Sequence, residues 1–156
     1  MASPSPRGSR FRVTWLLQGE LAVGPAPLLE RHLDRLEQEG VGAVLSLSAE
    51  AEAPPPASLA QRFHCARLVL PDHRQSRAMG LEELEQALAL LEQLHGQAPV
   101  FVHCVAAAER SPMVCMAWLV RQHQLSPQQA LEYLLQVHPG TNPLPQQLQL
   151  LRQLVP

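Results

Sequence analysis

The sequence has no lysine, no long apolar run and few cysteines, and each shortage removes a class of protein. Its 12 cationic side chains other than histidine are all arginine, scattered from Arg7 to Arg152 without a cluster, and the net charge is -2. A nucleic-acid binder would carry a basic stripe, so no nucleic-acid patch is expected. No stretch approaches the roughly 20 uncharged apolar residues of a membrane span, so no membrane segment is expected either. Residues 1–12 carry Ser, Pro and Arg without the apolar stretch of a signal peptide. Residues 1–10 read as a flexible N-terminal tail and residues 11–156 as one domain. Cys65, Cys104 and Cys115 are an odd set without the spacing of a disulfide scaffold, which suits a reducing, cytoplasmic setting. His64-Cys65 and His103-Cys104 lack the paired spacing of a zinc site, so neither metal nor cofactor is expected.

The pattern that is present alternates strands and helices. Residues 12–17 and 20–23 are short apolar pieces around Gln18-Gly19 and predict a hairpin. Leu28, Leu29, Leu33 and Leu36 recur at helical spacing within 25–39, and Gly40 ends that run. Residues 41–47 are a continuous apolar run that suits a buried parallel strand. A proline-rich loop and a short helix over 57–61 follow. Residues 67–70 then predict another strand, ending at Pro71-Asp72. Leu81, Leu84, Leu88, Leu91 and Leu94 form an apolar helix stripe within 80–95. Residues 99–102 are a third buried strand. Ser111-Pro112 and Ser126-Pro127 each read as an N-cap followed by proline at the first helical position, and residues 146–154 close the chain as a helix. The whole predicts an α/β fold, a central mostly parallel sheet flanked by helices on both faces.

The chemistry concentrates in His103-Cys104-Val105-Ala106-Ala107-Ala108-Glu109-Arg110-Ser111-Pro112, where a buried strand runs through a loop into a helix. Backbone N–H groups converging at a helix N-terminus hold a phosphate dianion, and the helix dipole adds to the attraction. Val105, Ala106, Ala107, Ala108 and Glu109 have the length for such a cradle. Arg110 offers a planar fork for two phosphate oxygens, which lysine cannot copy. The same positive surroundings favour the thiolate of Cys104 as a nucleophile, and Ser111 stands ready to hydrogen-bond the sulfur. A bare Cys-x5-Arg arises by chance in roughly one such chain in five, so the strand before it, His103, Ser111 and the helix after it carry the weight.

At these residues the sequence resembles the protein tyrosine phosphatase superfamily, with its His-Cys-x5-Arg-Ser/Thr signature, and within it the dual-specificity phosphatases. The resemblance implies a phosphomonoesterase that works through a phosphocysteine, on a phosphorylated protein or a small phosphomonoester. It implies that Asp72, on the loop after Leu68-Val69-Leu70-Pro71, is the general acid and base, and that His103 supports the loop backbone. Tyrosine-specific members are much longer, so a shallow pocket follows.

Two positions depart from the family pattern. Ala107 stands where relatives have glycine, and would cost about 1 kcal/mol if its φ is positive. Glu109 places an acid beside Arg110, where it either points to solvent and is screened or lies over the pocket and opposes an incoming dianion. These departures keep open an alternative: a pseudophosphatase-type module that binds phosphate and turns over weakly. His73, Arg74, Gln75 and Arg77 either touch a phosphorylated partner or form a solvated loop. Cys65 and Cys115 are either resolving thiols for an oxidised Cys104 or core residues, and the core reading is preferred.

Overall fold

A computed structural model describes residues 10–154 of the chain. The expected N-terminal tail, apart from Arg10, lies outside the described residues. The chain opens with β1 (Thr14–Leu17) and β2 (Leu21–Gly24), an antiparallel hairpin turning at Gly19. The order then runs α1 (Glu30–Gln38), β3 (Ala43–Ser46), α2 (Leu59–Arg62), β4 (His64–Arg67), α3 (Leu81–His95) and β5 (Val100–His103). Three helices end it: α4 (Arg110–His123), α5 (Pro127–Val137) and α6 (Pro145–Leu154).

The sheet order is β1-β2-β5-β3-β4, with β2, β5, β3 and β4 parallel to one another and β1 antiparallel to β2. The alternation of side chains along each strand supplies two cores. Leu21, Val23, Leu45, Val100 and Val102 face α3, α4, α5 and α6, while Ala22, Val44 and Phe101 face Leu33 and Leu36 of α1 and Leu59 of α2. The expected mostly parallel sheet with helices on both faces is therefore the observed one. Helix α4 is buried from Arg110 to Val120 because the sheet lies on one side and α3, α5 and α6 enclose the rest.

The register places the C-terminal ends of the strands together. Gly24 and Ser46 both pair with His103, and Ser46 pairs with Arg67. Ligands of parallel α/β sheets bind beyond this edge. Gly24 is required here: a Cβ on it would lie 2.2 Å from the Arg12 carbonyl oxygen and 2.9 Å from the Phe101 ring.

Three expectations shift. The fourth strand is His64–Arg67, not 67–70, because an edge strand is half exposed and lacks the continuous apolar run of an inner one. Residues 68–70 run on past the sheet, held by Leu68 N–H to the Ser46 carbonyl at 2.9 Å and Leu70 N–H to the Leu47 carbonyl at 3.0 Å. Helix α1 starts at Glu30 rather than at 25, because Pro25 and Pro27 hold the preceding backbone extended. Cys65 is exposed on β4 rather than in the core, whereas Cys115 is buried in α4 as expected, and burial pushes its thiol far up.

Candidate active site

The nucleophile candidate leaves the central strand. Strand β5 ends at His103, Cys104 follows it almost fully buried, and residues 105–109 curl back to the start of α4. Ser111 was expected to cap that helix. It does not, because α4 begins two residues earlier, at Arg110, with Glu109 in the cap position and no side-chain cap bond. The Ser111 hydroxyl instead lies 3.2 Å from the Cys104 sulfur, sharing a hydrogen bond with it.

The loop is turned so that its carbonyls point away from the cysteine. The Val105 carbonyl accepts from Ala26 N–H at 3.1 Å, the Ala108 carbonyl from Asn142 N–H at 2.7 Å, and the Ala107 carbonyl from the His138 ring Nε2 at 2.7 Å. In a trans peptide the N–H points opposite to its C=O. Tying these carbonyls outward therefore directs the amides of residues 106, 108 and 109 inward, as an anion cradle requires. The turn places Ala107 at φ +61°. This is the left-handed conformation, which costs about 1 kcal/mol for a residue with a Cβ.

His103 supports the loop from beneath, as expected. Its Nδ1 donates to the Cys104 carbonyl at 2.9 Å, and its Nε2 accepts from the Ser46 hydroxyl at 2.7 Å. One ring proton and one lone pair satisfy both contacts, which is the neutral ring. Burial pushes its pKa down to about 4.

Arg110 is also buried, and it is aimed by partners that are remote in sequence. Its Nη1 and Nη2 donate to the Glu52 carboxylate at 3.2 and 3.0 Å, and Nη1 donates to the Leu70 carbonyl at 3.1 Å. Hydrogen bonds from Arg110 hold the Glu52 carboxyl below its usual range. Sequence reading holds Glu52, with Glu50, only as a substitute for Asp72 and gives it no part in holding the arginine. It lies in the proline-rich loop after β3, where only the structure brings it to the arginine.

Asp72 joins the same cluster, its Oδ2 3.5 Å from Arg110 Nη2. Burial acts to raise its carboxyl, but hydrogen bonds from the Arg74 side chain and amide, with the charge of Arg110, outweigh burial and hold it below the usual range. Arg74 Nε donates to Asp72 Oδ2 at 2.9 Å, and its Nη2 donates to Glu52 Oε1 at 2.8 Å. Glu109 turns from the cradle toward the same loop, where it accepts from His73 N–H at 3.1 Å and pairs with the His73 ring. His73 and Arg74 therefore reach the pocket from a loop that is itself exposed to solvent.

A pocket of about 180 Å³ opens among these residues, lined by Asp72, His73, Arg74, Cys104, Val105, Ala106, Ala108, Glu109 and Arg110. The structure thus gathers the candidate nucleophile, the guanidinium, the candidate acid and most of the loop around one cavity. Ser111 lies behind the sulfur and Cys65 lies elsewhere. A larger cleft of about 520 Å³ on the α2 side, lined by Pro55, Leu59, Cys65 and Arg67 among others, contains none of this cluster.

Comparison with known proteins places the chain in a family. Residues 23–155 match the family described as "Dual specificity phosphatase, catalytic domain". A curated relative, the phosphatidylglycerophosphate phosphatase PTPMT2 of Arabidopsis thaliana, is 26% identical over 133 residues, covering 84% of this chain. The chain spans 58% of that relative's length. Among solved structures, Tk-PTP in the active form superimposes with a TM-score of 0.77 at 26% identity, covering 91% of this chain and 95% of that one. PTPMT1 in complex with PI(5)P gives a TM-score of 0.78 at 21% identity, with 91% and 93% covered, a likeness of fold.

Proposed function

The chain belongs to the dual specificity phosphatase family, and from that membership we propose that it hydrolyses phosphomonoesters through a phosphocysteine, with phosphorylated proteins as substrates. The observation that carries this reading is the Cys104 sulfur, 3.2 Å from the Ser111 hydroxyl, in one pocket with Arg110 and Asp72. In the first step the Cys104 thiolate attacks phosphorus, the S–P bond forms and the P–O bond to the leaving group breaks. The leaving oxygen takes that electron pair and a proton from Asp72. In the second step Asp72 accepts a proton from water as that water attacks phosphorus, and the sulfur leaves as thiolate, stabilised by the Ser111 hydroxyl. Arg110 and the cradle amides hold the phosphoryl oxygens throughout. A thiolate nucleophile works only while reduced, which favours a reducing, cytoplasmic setting.

The cradle side chains favour a singly phosphorylated group. Val105, Ala106, Ala107 and Ala108 are apolar and Glu109 is acidic, so this loop offers no side-chain cation to a second phosphate. A phosphotyrosine-like aryl ester meets that wall without a charge conflict. A lipid phosphomonoester is the second reading, favoured by the name of the curated relative.

Phosphate release from a panel decides between them: a phosphotyrosine peptide, phosphatidylglycerophosphate and a small aryl phosphate, each with wild type and Cys104→Ser. The expected result is release from the peptide and the aryl phosphate, abolished in the serine variant. Release from the lipid alone would select the second reading. A protein that binds phosphate but turns over none of the three would be the pseudophosphatase-type module. Activity retained by Cys104→Ser would overturn the nucleophile assignment.

A further inference from the structure

A general acid has to carry a proton when the ester bond breaks, yet the loop that bears Asp72 is built to keep the proton off. Asp72 Oδ1 accepts the Arg74 amide at 3.0 Å, Oδ2 accepts Nε of the Arg74 guanidinium at 2.9 Å, and Nη2 of that guanidinium lies 2.7 Å from Oδ2 as an ion pair. The same guanidinium reaches Glu52. Arg74 thus spans two carboxylates that flank Arg110, on the wall of the pocket over Cys104. Its side chain is 56% exposed, so it can swing at little packing cost. A planar guanidinium binds phosphoryl oxygens as readily as carboxylate oxygens.

We propose that Arg74 is a latch on the general acid: it clamps Asp72 and Glu52 before substrate binds, and the incoming dianionic phosphoryl group draws its guanidinium away. Asp72 then takes up a proton only when there is an ester to cleave. The inference rests on the phosphocysteine reading and adds the order of its proton steps. The charged and titratable groups around Asp72 are Arg74, Arg110, Glu52, Cys104 and, through the loop, the Glu109–His73 pair. Binding removes one cation from Asp72 and places a dianion beside it. Both changes favour the protonated carboxyl, whose proton comes from solvent and passes to the leaving oxygen as the P–O bond breaks. Arg74 acts through Asp72 and is a positioning residue.

The test is the pH dependence of kcat/KM, which reports the free enzyme, measured on one phosphomonoester with a poor leaving group. Wild type, Arg74→Gln, Arg74→Lys and Asp72→Asn are compared, so the titration of the substrate is common to all. The basic limb, set by loss of the Asp72 proton, is expected to move up by about one pH unit in Arg74→Gln, the scale of removing an adjacent cation. In Arg74→Lys, which keeps the charge and loses the fork, the shift is smaller. Asp72→Asn should lack that limb. If Arg74→Gln leaves the limb in place while Asp72→Asn removes it, the latch is overturned and the acid assignment stands. If Asp72→Asn keeps the limb, the acid assignment falls and the latch falls with it.

Discussion

Arg110 and Glu52 meet fork to fork, through bonds of 3.2 and 3.0 Å, across a sequence separation of 58 residues. The carboxylate fixes the plane of the guanidinium, so the arginine is aimed before substrate arrives. Glu52→Ala leaves a buried cation with fewer acceptors. It is expected to lower kcat/KM on an aryl phosphate by tenfold or more and stability by about 2 kcal/mol. Steady-state kinetics and urea unfolding check the two parts. An unchanged kcat/KM would mean that the Leu70 carbonyl alone orients the fork.

Glu109, on the pocket wall, pairs with His73 of the loop that carries Asp72. A carboxylate facing the phosphate would make Glu109→Gln bind inorganic phosphate more tightly. Its contacts with the backbone and ring of His73 imply a different outcome. Turnover of a substrate with a poor leaving group should fall several-fold, while an aryl phosphate with a good leaving group changes little, because only proton donation depends on that loop. Equal losses on both substrates would return Glu109 to a role in the cradle.

Ala107 combines an unfavourable backbone with a buried methyl group. Its positive φ costs about 1 kcal/mol, burial of the methyl returns about 0.8 kcal/mol, and glycine would add roughly 0.5 to 1 kcal/mol of unfolded-state entropy. These effects nearly cancel. Ala107→Gly should therefore change stability by less than about 1 kcal/mol. Ala107→Val, branched and overpacked at a positive φ, should lose about 3 kcal/mol. Chemical denaturation of both variants is the measurement, and a large stabilisation by glycine would contradict it.

His103 makes stability depend on pH. Its folded pKa of about 4 lies below the unfolded value of 6.5, so the unfolded chain binds the proton more readily. Its contribution is complete above pH 6.5 and is lost as pH falls toward 4, by an amount of the order of 3 kcal/mol. The slope of unfolding free energy against pH over that window should flatten in His103→Gln. An equal slope in both proteins would assign the acid sensitivity elsewhere.

The parts of the site that sequence reading located are those carried by one short segment. Cys104, Arg110 and Ser111 keep a fixed spacing because a strand, a tight loop and a helix start are joined there without interruption. Asp72 was found through its resemblance to the acid loop of a family, since a Pro-Asp pair by itself is an ordinary turn. Glu52 and the His73–Glu109 contact carried no local signal, because loops separated by 58 and 36 residues bring them together. The misplaced β4 has a related cause. Residues 68–70 are apolar because they cross the end of the sheet, and the true strand, at the edge, is only half covered.

The strand order has a consequence for how activity is lost under stress. Strand β5 lies at the middle of the sheet, paired on both sides, so Cys104 hangs from an element that opens only when the whole domain does. Asp72 hangs from β4, which pairs on one side only and is half exposed. Mild denaturant should therefore release the proton donor while the nucleophile is still in place. Hydrolysis of poor leaving groups would fade first, and a partly opened protein would go on cleaving activated esters until the central strands separate.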